Sequence, residues 1–180
     1  VYDRTTHNTR RVSVSSTGAQ ANGQNVDASI SADGRLVAFE SYASNLVRKD
    51  TNSVGDVFVY NRATGKTQRV SVSSSGAQAN RSSSNPSISA NGRFVVFQTK
   101  GRLVRADTNS WLDVFVYDRA TGKTQRVSVS STGAQANEGS YDPSISARGR
   151  YVAFTSAASN LIRSDTNEHA DAFVFDRTTR

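Results

Sequence analysis

The sequence contains no cysteine and no methionine. Without thiols it has neither a disulfide framework nor a thiolate metal centre, a composition that suits an exported bacterial protein. Histidine is limited to His7 and His169, proline to Pro86 and Pro143, and tryptophan to Trp111. No apolar run approaches the length of a membrane span, so membrane insertion is not expected. No signal-peptide pattern is seen, and a chain that opens on Val1 without any methionine reads as a mature or excised segment. Nor does any stretch sustain a 3.6-residue apolar period, which turns the expectation from helices to strands.

What the sequence does have is serine, threonine, valine and arginine in repeating order. Net charge is +7, carried by 18 arginines and 4 lysines. A basic chain invites thoughts of nucleic acid. Thirteen of the arginines, however, recur at four fixed phases, such as Arg69 and Arg126 or Arg35, Arg93 and Arg150. Charge copied at fixed phase spreads around an assembly and does not gather into one stripe, so a nucleic-acid partner is not expected.

Val-aromatic-Asp/Asn-Arg begins at Val1, Val59, Val116 and Val174, with spacings of 58, 57 and 58 residues. The one-residue contraction falls where "SYASNL" becomes "TKGRL". Each repeat holds four strand-like runs, here called A to D from the axis outward. A is "ASIS" or "PSIS" (28–31, 86–89, 143–146) and B is "RLVAF", "RFVVF" or "RYVAF". The turns between them, "ADG", "ANG" and "ARG", supply glycine for positive φ. C ("DVFVYNR", "DVFVYDR", "DAFVFDR") is apolar on both faces and therefore predicted to lie between two layers. D, "TQRVSVS", alternates like a half-exposed outer strand. Four antiparallel strands repeated radially predict an all-β fold, a β-propeller of four-stranded antiparallel blades.

Assembled across the copies, "PSISADGR-x-VAF…DTN-x-x-x-DVFVYDRATG-x-T-x-RVS" resembles the WD40-like (PD40) repeats of the TolB-type propeller family. The resemblance covers essentially the whole chain. It implies a bacterial, periplasmic or extracellular protein, a six-bladed ring, and a role in binding. One departure is Arg48, Arg105 and Arg163, which stand where such repeats carry small or turn residues.

Residues 1–16 read as the end of a C strand followed by a D strand. The repeats at 27–73 and 86–131 are complete, and 143–177 supplies A, B and C. The chain thus counts three blade-equivalents, half of a six-bladed ring. Two partners are expected to close it: a second copy joined head to tail, or the rest of a longer propeller.

Asp-x-Asn-x-x-x-Asp recurs as Asp50, Asn52 and Asp56; Asp107, Asn109 and Asp113; and Asp165, Asn167 and Asp171. Closely spaced carboxylate and amide oxygens suit Ca²⁺. The same residues also cap loop amides, and both readings stand at this point. Between the acids, Val54, Trp111 and His169 are equivalent and differ. The D–A crossovers "GQNVD", "RSSSN" and "EGSYD" differ too, and they bring Asn25, Arg81 and Tyr141 to the same end of the blades. The opposite-face turns are nearly uniform. Recognition of a protein or glycan is therefore expected on the D–A/B–C face, with serines Ser31, Ser89 and Ser146 lining the axial mouth. An Asp–Arg pair between blades is the expected role of Asp118, Arg119 and their counterparts.

Catalysis finds little support. His7 and His169 fall at different phases, no serine carries a nucleophile-elbow signature, and Glu40, Glu138 and Glu168 share no phase. A non-enzymatic binding or scaffold module is expected. The alternatives are an accessory or gating propeller of a secreted hydrolase, and a carbohydrate-binding propeller that stacks sugars on Trp111 or Tyr141.

Overall fold

The computed structural model describes residues 1–179, and no helix occurs among them. The eleven strands are β1 (Asn25–Ile30), β2 (Leu36–Ser41), β3 (Asp56–Asn61), β4 (Lys66–Arg69), β5 (Ser83–Ile88), β6 (Phe94–Thr99), β7 (Asp113–Asp118), β8 (Lys123–Arg126), β9 (Ser140–Ile145), β10 (Tyr151–Ser156) and β11 (Asp171–Asp176). They form two four-stranded sheets, β1-β2-β3-β4 and β5-β6-β7-β8, and one three-stranded sheet, β9-β10-β11. All pairings are antiparallel and repeat the same register: Phe39 faces Phe58, Phe97 faces Phe115, and Phe154 faces Phe173. This is a partial β-propeller of three blades, as the repeats predict.

Period-two alternation in the C strands builds the core between blades. In β3, Phe58 and Tyr60 point to one face, while Val57 and Val59 point to the other. Each blade carries a stacked phenylalanine pair, with ring centroids 5.9–6.2 Å apart; the second and third blades turn it to the blade before, and the first turns it to Val12, Val14 and Ala21. The first and second blades offer small β-branched or alanine side chains to the blade after. Ala38, Val57 and Val59 pack on Phe97, Phe115 and Ile88 of the second blade in this way. Fully burying one such side chain contributes about 1.5–3 kcal/mol, so inter-blade packing is the main cohesive force. At the axis the A strands meet: Ser29 Oγ accepts from the Ile88 amide at 3.2 Å, and Ser87 Oγ from the Ile145 amide at 3.4 Å.

Three boundaries differ from the sequence expectation. The A strands start three residues earlier, at Asn25, Ser83 and Ser140, and each carries a β-bulge. Asp27, Asn85 and Asp142 sit in the bulges at φ of 50°, 50° and 52°. Asn and Asp tolerate that left-handed region, and Pro86 and Pro143 fit beside a bulge because they have no amide to donate. The D strands end at Arg69 and Arg126. There Ser71 Oγ, and likewise Ser128 Oγ, accepts the amide of Val57 or Val114, both at 3.1 Å. A side-chain acceptor interrupts the ladder, and Val70 and Val127 turn fully inward.

Residues 1–16 form no strand. They make the isolated bridge Tyr2–Thr9, which has the phase of the C–D pairs Tyr60–Thr67 and Tyr117–Thr124. The hairpin is anchored as an outer strand nonetheless. Ser16 Oγ accepts the Thr67 amide at 2.9 Å, just as Ser74 Oγ accepts the Thr124 amide at 2.9 Å.

Candidate functional site

The Asp-x-Asn-x-x-x-Asp side chains do converge, and in the first two copies they converge on an arginine. Arg69 Nη1 stands 3.2 Å from Asp50 Oδ1 and 3.1 Å from Asp56 Oδ2. Ser71 Oγ donates to Asp56 Oδ1 at 2.5 Å, and Asn52 Nδ2 donates to Asp56 Oδ2 at 2.8 Å. The second copy repeats this: Arg126 Nη1 lies 3.5 Å from Asp107 and 3.4 Å from Asp113, with Ser128 on Asp113 at 2.5 Å. One guanidinium serves two nearly inaccessible carboxylates in each copy, and burial is the largest influence on Asp50, Asp107 and Asp113. It raises Asp50 and Asp107, and pushes Asp113 up to about 6. In the third copy Asn167 Nδ2 donates to Asp171 Oδ2 at 3.1 Å, and no arginine is paired with Asp165 or Asp171 among the described residues.

The asparagine sets the loop tip. Asn52, Asn109 and Asn167 each accept, through Oδ1, the amide two residues on, at Val54 (3.4 Å), Trp111 (3.1 Å) and His169 (2.9 Å). Such Asx turns fix the backbone while leaving the next side chain free. Trp111 is 51% exposed, His169 is exposed, and Val54 is half-buried. Asn52 and Asn109 also donate to the carbonyls of Ala79 and Ala136, each at 3.0 Å, which ties the B–C loop to the following D–A connection. Arg48, Arg105 and Arg163 are exposed in the same loops.

Backbone bonds then carry the tips to the next blade. The Ser83 amide donates to Gly55 O and the Ser140 amide to Leu112 O, both at 2.8 Å. Val54 therefore adjoins the segment of exposed Arg81, and Trp111 the start of β9, where Tyr141 is half-buried. Asn25 and Tyr141 lie in strands β1 and β9, not in crossover loops; Asn25 is exposed and donates to Gly23 O at 2.8 Å.

Residues that sequence reading missed surround the axis on this side. Asn85 Nδ2 donates to Asp142 Oδ1 at 2.7 Å, and the Asp142 amide donates to Gln98 Oε1 at 2.7 Å. Glu40, at the phase of Gln98, is raised by burial and by Asp27, although the Tyr42 hydroxyl and the Asn85 amide bond to it. The available signal was an Asx residue at one phase before the A run of every copy. The serines expected at the mouth are spent elsewhere: Ser31 and Ser89 are buried, and with Ser146 they accept the amides that close the A–B turns.

Asp118 pairs within its own blade, with Arg93 Nε and Nη2 at 2.9 and 2.8 Å, and Asp176 pairs likewise with Arg150. Among the described residues these aspartates and arginines therefore make no ion pair between blades, because register brings β6 and β7 together at that end. Arg119 instead caps the turn carbonyl of Gly92 at 2.8 Å. His7 Nδ1 bonds the Tyr2 hydroxyl at 2.7 Å in the N-terminal hairpin. Among the described residues, no three His, Asp or Glu side chains are grouped so as to hold a metal ion.

No protein-family model matches the sequence, and neither does any curated protein. Solved structures do. The putative TolB from Agrobacterium tumefaciens aligns with a TM-score of 0.54 and 14% identity, over 87% of this chain and 48% of that one. TolB from Acinetobacter baumannii gives 0.53 and 17%, over 97% of this chain and 34% of that one. The tricorn protease gives 0.52 and 16%, over 86% and 14%. The chain thus spans less than half the length of each. The likeness is one of fold, a TolB-like β-propeller.

Proposed function

We propose that this chain, which has the fold of the TolB propellers, is a non-enzymatic binding or scaffold module that recognises a partner through its B–C loop face. The observation that carries this reading is the contrast between a fixed loop frame and a changing tip. The same asparagine bond holds Val54, Trp111 and His169 in equivalent places, and three different side chains result. Rigid loops that vary only at the tip lower the ordering cost of binding. Trp111, half exposed beside the start of β9, is the central contact. The bacterial periplasm or the extracellular space is the compartment that fits a cysteine-free TolB-like chain.

Peptide display against the immobilised protein tests this. Ligands enriched on the wild type should lose at least about tenfold in affinity with Trp111→Ala, where a hot-spot aromatic is removed. They should keep it with Lys123→Ala on the opposite face. Equal loss in both variants, or no enrichment, overturns the reading. A glycan array is the second arm. The Ser140 amide bonds the Leu112 carbonyl, which joins the neighbour of Trp111 to the neighbour of Tyr141 across two blades, and two aromatics on adjoining segments support sugar stacking as the alternative. An accessory role beside a hydrolase domain, suggested by the fold likeness to tricorn protease, would use the same face.

Calcium has a rival in this geometry. In two copies an arginine already stands between the acids, and a guanidinium and a divalent cation compete for the same oxygens. We therefore read Asp-x-Asn-x-x-x-Asp as a loop pin whose counter-cation is arginine. Millimolar Ca²⁺ or a chelator should leave the melting temperature within about 1 °C, whereas specific binding at a hundredfold excess over Kd would add about 2.7 kcal/mol.

A further inference from the structure

The third blade repeats two interaction surfaces that the first two blades fill, and fills neither itself. Val59 and Val116 are each 1% exposed beneath the following blade, whereas Val174 at the same phase is 70% exposed. Ala153 and Ala172 are exposed beside it, where Ala38 with Val57, and Val96 with Val114, are buried. Among the described residues, Asp165 and Asp171 likewise stand without the arginine and serine that Arg69 with Ser71, and Arg126 with Ser128, give the other two pairs.

The missing parts exist at the other end of the chain. Arg11 and Ser13 have the phase of Arg69 and Ser71. Arg11 is exposed and, among the described residues, its side chain bonds only Gln20 Oε1, at 2.5 Å. The hairpin bearing it is already seated as an outer strand, because Arg10 Nη2 donates to Tyr60 OH at 2.9 Å as Gln68 does to Tyr117 OH at 3.2 Å. On the first blade Ile30 is 48% exposed, against 6% for its counterpart Ile88. At Gly92 and Gly149 an added Cβ would strike Leu36 and Phe94 of the preceding blade, while at Gly34 it would meet Arg62 at 3.4 Å and Ile30 at 4.0 Å, both of its own blade. Tyr151, at the phase of Leu36 and Phe94, is 42% exposed.

We propose that a second copy of this chain docks head to tail, the free face of β10–β11 in one copy against Ile30 and Gly34 of the other, with Arg11 and Ser13 entering between Asp165 and Asp171. Two such contacts are equivalent and close a six-bladed ring. The apolar face chooses an apolar occupant, the acid pair chooses a cation, and the other end of this same chain offers both in the register already used twice. Copying β3–β4 places Val174 opposite Arg10 and Phe173 opposite Arg11. Val1 and Asp3 now occupy that edge, through Val1 N–Arg10 O at 2.8 Å and Asp3 N–Asn8 O at 2.9 Å. They repeat the Val-aromatic-Asp of β11, so docking exchanges one copy of that motif for another. This proposal is independent of the loop-face reading, since it uses the blade edges.

Light scattering of the 180-residue chain should give twice 19.4 kDa at tens of micromolar. Arg11→Glu and Asp171→Arg should each weaken the dimer at least about a hundredfold, because each leaves a buried charge unpaired, and the two together should recover part of it. Circular dichroism confirms that the variants remain folded. The cysteine-free background permits a second readout: a mixture of Arg10→Cys and Val174→Cys chains should oxidise to a mixed disulfide in high yield, since directly paired positions lie within disulfide reach. A monomer at 100 µM (about five times the working concentration), a larger open assembly, or a dimer indifferent to both charge reversals overturns the proposal.

Discussion

Arg69 and Arg126 decide how two buried carboxylates can share one loop. Replacing Arg126 with Leu removes the cation and leaves Asp107 and Asp113 facing each other, and it should cost about 3–5 kcal/mol in urea denaturation. Arg126→Lys should rescue only part, because an ammonium cannot span both acids and the Ala106 carbonyl that Arg126 reaches at 3.0 Å. Protonation offers a sharper test. Burial raises Asp113 to about 6, so the folded state holds that proton more tightly than the unfolded chain does. Its effect on stability is most favourable below the ordinary aspartate value of about 4 and declines as pH climbs to about 6. Asp118 is the reverse case: Arg93 lowers it to about 2, so its stabilisation is present above about 4 and lost as pH falls through 2. Carboxyl NMR titration should show Asp113 taking up its proton first. Equal midpoints would sink both assignments.

Turns and strands behave as elements only in company with the neighbouring blade. Gly34, Gly92 and Gly149 share φ of 68°, 69° and 75°, so an alanine at any of them is strained by about 1 kcal/mol. Gly92 and Gly149 additionally touch Leu36 and Phe94 of the blade before. Gly92→Ala and Gly149→Ala should therefore lower thermal stability clearly more than Gly34→Ala in a chain held monomeric by Arg11→Glu. Similar losses at all three would mean that the contact between blades is soft. The short D strands follow the same logic. Ser71→Ala removes the acceptor of the Val57 amide and the donor to Asp56, and should cost about 1–3 kcal/mol because both groups are buried.

At the scale of the molecule, charge and apolar surface are distributed by the repeat and become informative where the repeat is broken. Seven of the arginines at fixed phase are consumed locally, on turn carbonyls (Arg62, Arg119, Arg177), on strand-end aspartates (Arg93, Arg150) and on buried acids (Arg69, Arg126), whereas Arg48, Arg105 and Arg163 stay exposed in the B–C loops. The exposed face around Val174 is the exception in apolarity, and Asp165 with Asp171 the exception in charge.

Read alone, the sequence determined the blade count, the order of strands and the turns. Period-two alternation in "DVFVY" and glycine after Asp or Asn are local consequences of backbone geometry, and copying them threefold averages out ambiguity. It also placed Val54, Trp111 and His169 as equivalent tips, since a changed residue inside a fixed frame is visible without coordinates. Tertiary structure alone decided what each polar side chain bonds to. Asp56 and Arg69 lie thirteen residues apart and meet only when the C–D hairpin closes, so spacing left metal and loop cap both open and could not show the guanidinium that two copies place between the acids. Asp27, Asn85 and Asp142 looked like loop residues because left-handed φ is a turn habit, yet in the sheet it makes a bulge. Partner choice is long-range and belongs to packing; strand and turn choice is short-range and is written in the chain.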